Sequence, residues 1–373
     1  MRGIRATMID PERGAAAIIV AIFVATGVLI GLLAMTVDVG ALFNERRLLQ
    51  NGADTSSLAV ATACAKKTSD CTSLVASNTS AKLFANLNAG TDQVSGISEI
   101  CGYSNGTASL SACTTAGGAN TWDCQVNTKY PSYARVRTLT QASDGTSTLP
   151  TTFARALTPS ATSTTVRACA QAAWGAPDSA GIIFPLALSA CDFKMDSDAT
   201  IFDFKDGFNP GQGRNCTITD ANGVSHTYPD TVAGSMYLQI PGATKDCVTP
   251  KAITVDSWVT RQTNIVQLCS SGYETALASL LNKVLAIPVF DKLANSGIGS
   301  SLQVHIASFV AFTFKGYNLK GNRLGGIAPT GGWPSTCKSN QECFFGTFGR
   351  SVQPGSIDPN NPNFGLVSVQ LIP

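Results

Sequence analysis

Charge is scarce in this 373-residue chain, with Asp, Glu, Lys and Arg making up 13% of it, about half of the ~25% usual in soluble domains. The signs nearly cancel: Lys+Arg 26 stand against Asp+Glu 24, for a formal net charge of +2. Nucleic-acid binding rests on a clustered basic footprint, and so even a balance argues against a nucleic-acid partner. Histidine is scarcer still. His226 and His305 are the two in the chain, which excludes a site built on three histidine ligands and any classical zinc finger. No Cys-x-x-Cys occurs, which argues against a zinc ribbon and a thioredoxin-like redox pair. The chain also lacks His-Glu-x-x-His, Gly-x-Ser-x-Gly and the Gly-x-x-x-x-Gly-Lys phosphate loop. No enzyme, no cofactor and no catalytic residue is expected, and the sequence identifies no small-molecule ligand.

What is present begins with a long apolar run. Hydrophobic residues are 44% of the chain, enough for a core and too many for global disorder. Gly14 to Val37 is a stretch of 24 residues without a charge, bracketed by Arg13 and Asp38 as membrane-boundary residues. As a helix it would extend about 36 Å, sufficient for a ~30 Å hydrocarbon core. Cleaved secretory signals carry apolar regions of roughly 7–15 residues followed by a small-x-small site. This run is longer, and Ala34-Met-Thr-Val-Asp38 is a poor cleavage site. A retained transmembrane anchor is therefore expected, with the bilayer as its first partner.

All twelve cysteines follow the span: Cys64, Cys71, Cys101, Cys113, Cys124, Cys169, Cys191, Cys216, Cys247, Cys269, Cys337 and Cys343. Paired cysteines persist in oxidising compartments, so a disulfide framework places the ectodomain outside the cell and the N-terminus in the cytoplasm. Spacing does not fix the connectivity. Cys337 and Cys343 flank a short polar loop and suggest a local pair. On one continuous helix Cys64 and Cys71 would stand about 10.5 Å apart, beyond the ~7 Å that a bridge tolerates. They can pair only if the helix breaks near Lys67–Ser69.

The organisation expected is a cytoplasmic N-terminus over 1–13, the span over 14–37, a helical stalk over 38–90, a disulfide-containing α+β segment over 91–176 and a β-rich ectodomain over 177–373. The fold class is α+β: a transmembrane helix continuing into an Ala-rich helix, then disulfide-braced strands with few further helices. Residues 38–63 have a small-residue apolar face, an Arg46-Arg47 patch, and Gly40 and Gly52, which weaken the helix by about 1 kcal/mol each. Ser69 suits the N-cap of a second helix from Cys71 to Asn88. Strands are expected at 134–140 and 163–174, with a short helical piece at 151–157 between them. Helical spacing recurs at Asp256–Cys269 and Tyr273–Leu285, and a short strand follows at 285–290. Val304–Phe314 is apolar on both faces, which marks a central strand. Val304, Ile306, Val310, Phe312 and Phe314 share one of those faces by simple alternation, and 344–352 and 364–372 complete the sheet.

Other candidate sites are weak. Asp196, Asp198 and Asp203 lie in an acidic cluster with Asp192 and Asp206, and hard oxygen ligands favour Ca²⁺. The cluster lacks the glycine and distal glutamate of a calcium loop and contains Lys194 and Lys205, so a solvated loop is the preferred reading. His226 suits a surface turn and His305 a packed core position. Tyr317, Trp333, Phe344 and Phe345 would favour a membrane-anchored extracellular binding module for glycan or another surface ligand if exposed, and belong to the core if not. An anchored hydrolase is the less favoured alternative, with no acid pair to nominate for it.

The N-terminal part resembles the Flp pilus-assembly TadE/TadG-like group. The residues that carry this are Glu12-Arg13-Gly14-Ala15, the span, Val37-Asp38-Val39-Gly40, and Glu45-Arg46-Arg47-Leu48-Leu49-Gln50-Asn51-Gly52-Ala53-Asp54. Leu149–Leu157, Ala172-Ala173-Trp174-Gly175, Ile287–Asp291 and Gly316-Tyr317 are similar to membrane-anchored secreted members from Gram-positive bacteria. The resemblance implies a structural or assembly component of a pilus or related surface apparatus, with pilus or secretion-apparatus proteins as partners. Ile19 and Met8 stand where a glutamate would follow Gly14 or Gly3 in a prepilin, so prepilin processing does not carry over. Neither does the metal motif of larger members, since no Asp-x-Ser-x-Ser is present.

Overall fold

The computed structural model describes residues 11–66, 71, 79–88, 93–103, 110–113, 124–125, 129–142, 146, 149–150, 163–195, 197–202, 214–231, 234–239, 250–262, 273–294, 302–319, 323–337 and 342–373. The helical piece expected at 151–157 lies outside them, as does most of 67–78. Helix α1, Pro11–Lys66, has 56 residues, which is about 84 Å of helix. Its first half presents bare apolar side chains, Phe23 and Leu33 among them. Among the described residues it is the one helix long and apolar enough to cross a membrane. Its second half buries Leu49, Ala53, Val60, Ala61, Cys64 and Ala65. Helix α2, Thr79–Leu87, packs beside it. Helix α3, Tyr273–Leu280, is far away in sequence.

The strands are numbered in chain order. A five-stranded sheet runs β1 (Gln93–Tyr103), β2 (Tyr133–Ala142), β5 (Arg167–Gly175), β19 (Leu366–Ile372) and β18 (Ser351–Pro354), with β3 (Leu149–Pro150) and β4 (Ser163–Thr164) as a separate small pair. The second half of α1 lies on this sheet. Val60, Ala61 and Ala65 meet Ala134 and Val136 of β2, Ala172 and Trp174 of β5 and Val367 of β19 in one buried cluster. Alanines on both sides let the helix and sheet backbones approach closely. The strand at the C-terminal end of the sequence is thus built into the sheet beside the helix: β19 pairs antiparallel with β5 from Ser368↔Gly175 to Ile372↔Gln171.

The larger sheet has eight strands in the order β13 (Trp258–Gln262), β11 (Ser235–Leu238), β7 (Leu186–Ser189), β14 (Val284–Ala294), β15 (Gln303–Leu319), β17 (Cys343–Gly349) and β8 (Asp198–Phe202), with β16 (Arg323–Gly326) paired to β15. Two further ribbons are β6 (Ser179–Ile182) with β12 (Lys251–Thr254), and β9 (Arg214–Thr219) with β10 (Ser225–Thr231). β15 is central, as its apolarity on both faces required. One side of it meets Leu277 and Leu280 of α3, Tyr228 of β10 and Phe344 and Phe348 of β17. The other meets Ala180 and Ile182 of β6, Met236 of β11 and Ile253 of β12.

Simple alternation along β15 fails, for a definite reason. Opposite β14, Ser308 pairs with Val289 and Ile306 with Phe290, which leaves Ala307 as an extra residue. A bulge of one residue moves every later side chain to the other face. Val304 and Ile306 therefore join Phe309 and Ala311 in one core, while Val310, Phe312 and Phe314 face the other. A second irregularity, between Phe314 and Gly316 opposite β17, brings Tyr317 and Leu319 onto the side of Phe314.

Two further expectations are corrected. Trp258–Gln262 is strand, not helix, because Trp258, Val259 and Thr260 pair with His305, Val304 and Gln303 of β15. Residues 263–269 are outside the described set. The stretches 344–352 and 364–372 do not complete one sheet: β17 joins β15, whereas β18 and β19 belong to the smaller sheet.

Candidate functional site

The residues that form the strongest candidate site lie along α1 between Asp38 and Lys66, where the apolar helix meets the β-rich body. Its sequence sets a close fit. Gly52 faces α2, where an added Cβ would stand 3.2 Å from the carbonyl oxygen of Ala85. One turn on, the buried hydroxyl of Ser56 donates to the carbonyl of Ala81 at 2.8 Å. Gly52 and Ser56 on α1 thus meet Ala85 and Ala81 on α2, and the residue order shows that the two helices run antiparallel. Gly52 is the price of that approach, whereas nothing stands within 4 Å of a Cβ at Gly40.

The opposite side of the same turns faces the sheet. Gln50 Nε2 donates to the carbonyl of Cys169 on β5 at 2.9 Å and to Asp54 Oδ1 at 2.9 Å. Ala53 between them is fully buried. Glu45 is also buried, with a hydrogen bond to the Thr140 side chain; burial raises its carboxyl above the ordinary carboxylate range, and the Thr140 bond offsets part of that rise. In the run Leu49-Gln50-Asn51-Gly52-Ala53-Asp54, alternate sides of the helix are therefore specified for a sheet and for a second helix.

Disulfides brace the surroundings. Cys64 and Cys71 pair, with Cα atoms 4.3 Å apart, because α1 ends at Lys66. Cys124–Cys169 ties β5 to a segment 45 residues earlier, and Cys101–Cys113 closes the end of β1. In the other half of the molecule Cys191–Cys216 and Cys337–Cys343 are bridged. Cys247 and Cys269 lie outside the described residues.

N-terminal to these contacts along α1, Val39, Leu42, Phe43 and Arg46 line a cleft of about 350 Å³ with Thr164–Arg167, the segment that leads from β4 into β5. Asp38, at the end of the apolar run, is half-buried; Arg13 is helical, and its side chain is not among those described.

The remaining sequence candidates do not converge on a site. Asp196 and Asp203 lie outside the described residues, while Asp198 begins β8 with its backbone paired to Thr347. Among the described residues no group of three or more His, Cys, Asp or Glu could hold a metal ion. His226 is a strand residue, not a turn residue: its Nε2 lies 3.1 Å from Asp220 Oδ2. Asp220 in turn accepts from the backbone N–H of Asn222, Val224 and Asn363, so the pair fixes a turn. His305 is not packed in purely apolar surroundings. Its Nδ1 is 2.7 Å from Asp291 Oδ1, its Nε2 is 3.5 Å from Asp256 Oδ1, and its ring lies against Trp258. Tyr317, Phe344 and Phe345 are buried, and Phe344 stands between Phe184 and Phe314 in the aromatic core. Trp333 meets Phe345 edge-on.

A single long helix, apolar in its first half and built in its second half into a disulfide-braced, β-rich body, defines the class of architecture. Within it, residues 14–63 match the model of the putative Flp pilus-assembly TadE/G-like family. The match covers the apolar run and the helix turns that dock on α2 and on the smaller sheet. No curated protein and no solved structure matches the chain. The docking roles of Glu45, Gln50 and Ser56 were not assigned from sequence. The signal available for them was their place, at helical spacing, among the small residues of an amphipathic stretch.

Proposed function

We propose that the protein is a non-enzymatic, single-pass membrane component of a Flp/Tad-type pilus or related surface apparatus, with its N-terminus in the cytoplasm and its ectodomain outside. The observation that carries this reading is the continuity of α1, exposed and apolar in its first half and locked into the ectodomain in its second. Such a helix transmits position rigidly from the bilayer to the disulfide-braced β structure. The matched segment coincides with this connecting element. Small residues in the exposed half, among them Gly27 and Gly31, suit close packing with neighbouring helices in a membrane. The disulfides support an oxidising location for the ectodomain. Pilus or secretion-apparatus proteins are the partners this reading requires.

A glycan-binding module built on the aromatics Tyr317, Trp333, Phe344 and Phe345 would need them at the surface; three of them are buried and Trp333 is half-buried, which weighs against that reading. The test is a clean deletion in the native host, with surface fibres counted by electron microscopy and the full chain returned for complementation. Loss of fibres, restored by the full chain, supports the assembly role. Unchanged fibres and unchanged adhesion overturn it.

A further inference from the structure

The cleft between α1 and the start of β5 has a composition that its position explains. Val39 and Phe43 are 39% and 67% exposed although they follow the charged boundary residue Asp38. With Leu42 they give the cleft an apolar wall, and Arg46 and Arg167 give it two cations, beside Thr164 and Thr165. At ~1.5 Å per residue, Val39 to Arg46 sit about 3–13 Å beyond Val37. The headgroup layer of a bilayer leaflet is roughly 5–8 Å thick. Helical side chains lean toward the helix N-terminus, so Arg46 reaches back toward that layer. Apolar surface and cations thus coincide where glycerol, phosphate and the upper acyl chain of a lipid meet.

We propose that this cleft seats one anionic glycerophospholipid of the outer leaflet, its phosphate between Arg46 and Arg167 and its upper acyl chain along Val39, Leu42 and Phe43. The lipid would complete the contact between helix and sheet rim and fix the height of the ectodomain above the membrane. The choice of a lipid rests on charge complementarity and on the continuity of the cleft with the apolar span, and it depends on the membrane-anchor reading above.

The test uses the full chain in phosphatidylcholine vesicles with and without phosphatidylglycerol. Flotation reports anchoring, and native mass spectrometry after gentle extraction reports retained lipid. The expected result is co-flotation in both vesicles with one phosphatidylglycerol retained per chain from the mixed ones. Arg167→Glu should lower that retention by roughly tenfold, and Phe43→Ser should lower it without a charge change. Arg47→Glu makes the same charge change on α1 outside the cleft and should leave it intact. Failure to float overturns the membrane reading itself. Flotation with no retained lipid, equal retention of zwitterionic lipid, or equal sensitivity to Arg47→Glu and Arg167→Glu overturns the lipid seat alone, as does recovery of a protein segment in the cleft by cross-linking.

Discussion

The hydroxyl of Thr138, on β2, donates to the carbonyl oxygen of Leu49 on α1 at 3.0 Å, and both residues are buried. The bond joins the sheet to the helix at the level where α1 ceases to be bare. A net contribution of about 0.5–1.5 kcal/mol is usual for such a bond. Thr138→Val keeps the shape and removes the donor, and the Leu49 carbonyl lies within the helix ladder. A loss in that range is expected, measured by denaturant unfolding of the purified full chain in detergent. Thr138→Ala adds a void and should cost more.

Gly40 and Gly52 look alike in sequence and should respond oppositely. Gly40 has open space around a new Cβ, so Gly40→Ala should stabilise α1 by about 1 kcal/mol through helix propensity alone. Gly52→Ala brings a methyl group to 3.2 Å from the Ala85 carbonyl and 3.3 Å from its Cα, which offsets that gain. Gly52→Leu has to displace α2, at a cost of about 1–3 kcal/mol. Thermal unfolding of the three variants checks the order, and a stabilised Gly52→Leu would show that the helices do not meet there.

The contrast between these glycines marks what was legible in the sequence and what was not. Local patterns were: the apolar span, the small-residue helix after it, and β15 as a strand buried on both faces. The two faces of β15 were not, because a single extra residue at Ala307 reverses the alternation and leaves no mark in composition. Trp258–Gln262 reads as helix in isolation and becomes strand through pairing with β15, some 40 residues on. The placement of β19 beside β5 depends on a partner nearly two hundred residues earlier. Within the docking region, the small residues pointed to a close contact, but whether helix or sheet lay on each side was decided by those distant pairings.

The bridges should contribute unequally. In the chain-entropy model, closing the 45-residue interval of Cys124–Cys169 stabilises by about 4 kcal/mol, and closing the 7-residue interval of Cys64–Cys71 by about 2 kcal/mol. Paired Cys→Ser replacements at 124 and 169 should therefore lower the unfolding midpoint more than those at 64 and 71. Cys124–Cys169 also holds β5, whose Cys169 carbonyl receives Gln50, so its removal should additionally loosen α1. Hydrogen exchange along residues 46–54 would detect this. Equal losses for both pairs would assign the stabilisation to native contacts around the sulfurs and not to the constraint on the unfolded chain.

Glu45 supplies a pH dependence with a definite sign. Its folded carboxyl is raised by burial, only partly countered by the Thr140 bond, while in the unfolded chain it titrates near the ordinary value of ~4.3. The folded state thus holds this proton more tightly than the unfolded state does. The resulting stabilisation is fully present below the unfolded value and is lost as pH rises through the folded one. At neutral pH the carboxylate carries the desolvation cost beneath the sheet rim. Glu45→Gln keeps the shape and a hydrogen-bonding group for Thr140 without the charge. It should raise the unfolding temperature at pH 7 by more than at pH 4 and flatten the profile between them. Thr140→Val should act in the other direction, steepening the loss with pH because the charged form then has no hydroxyl to receive. A Glu45→Gln variant whose gain is the same at both pH values would show that the carboxyl is not shifted, and that the buried turn of α1 places no electrostatic demand on the junction.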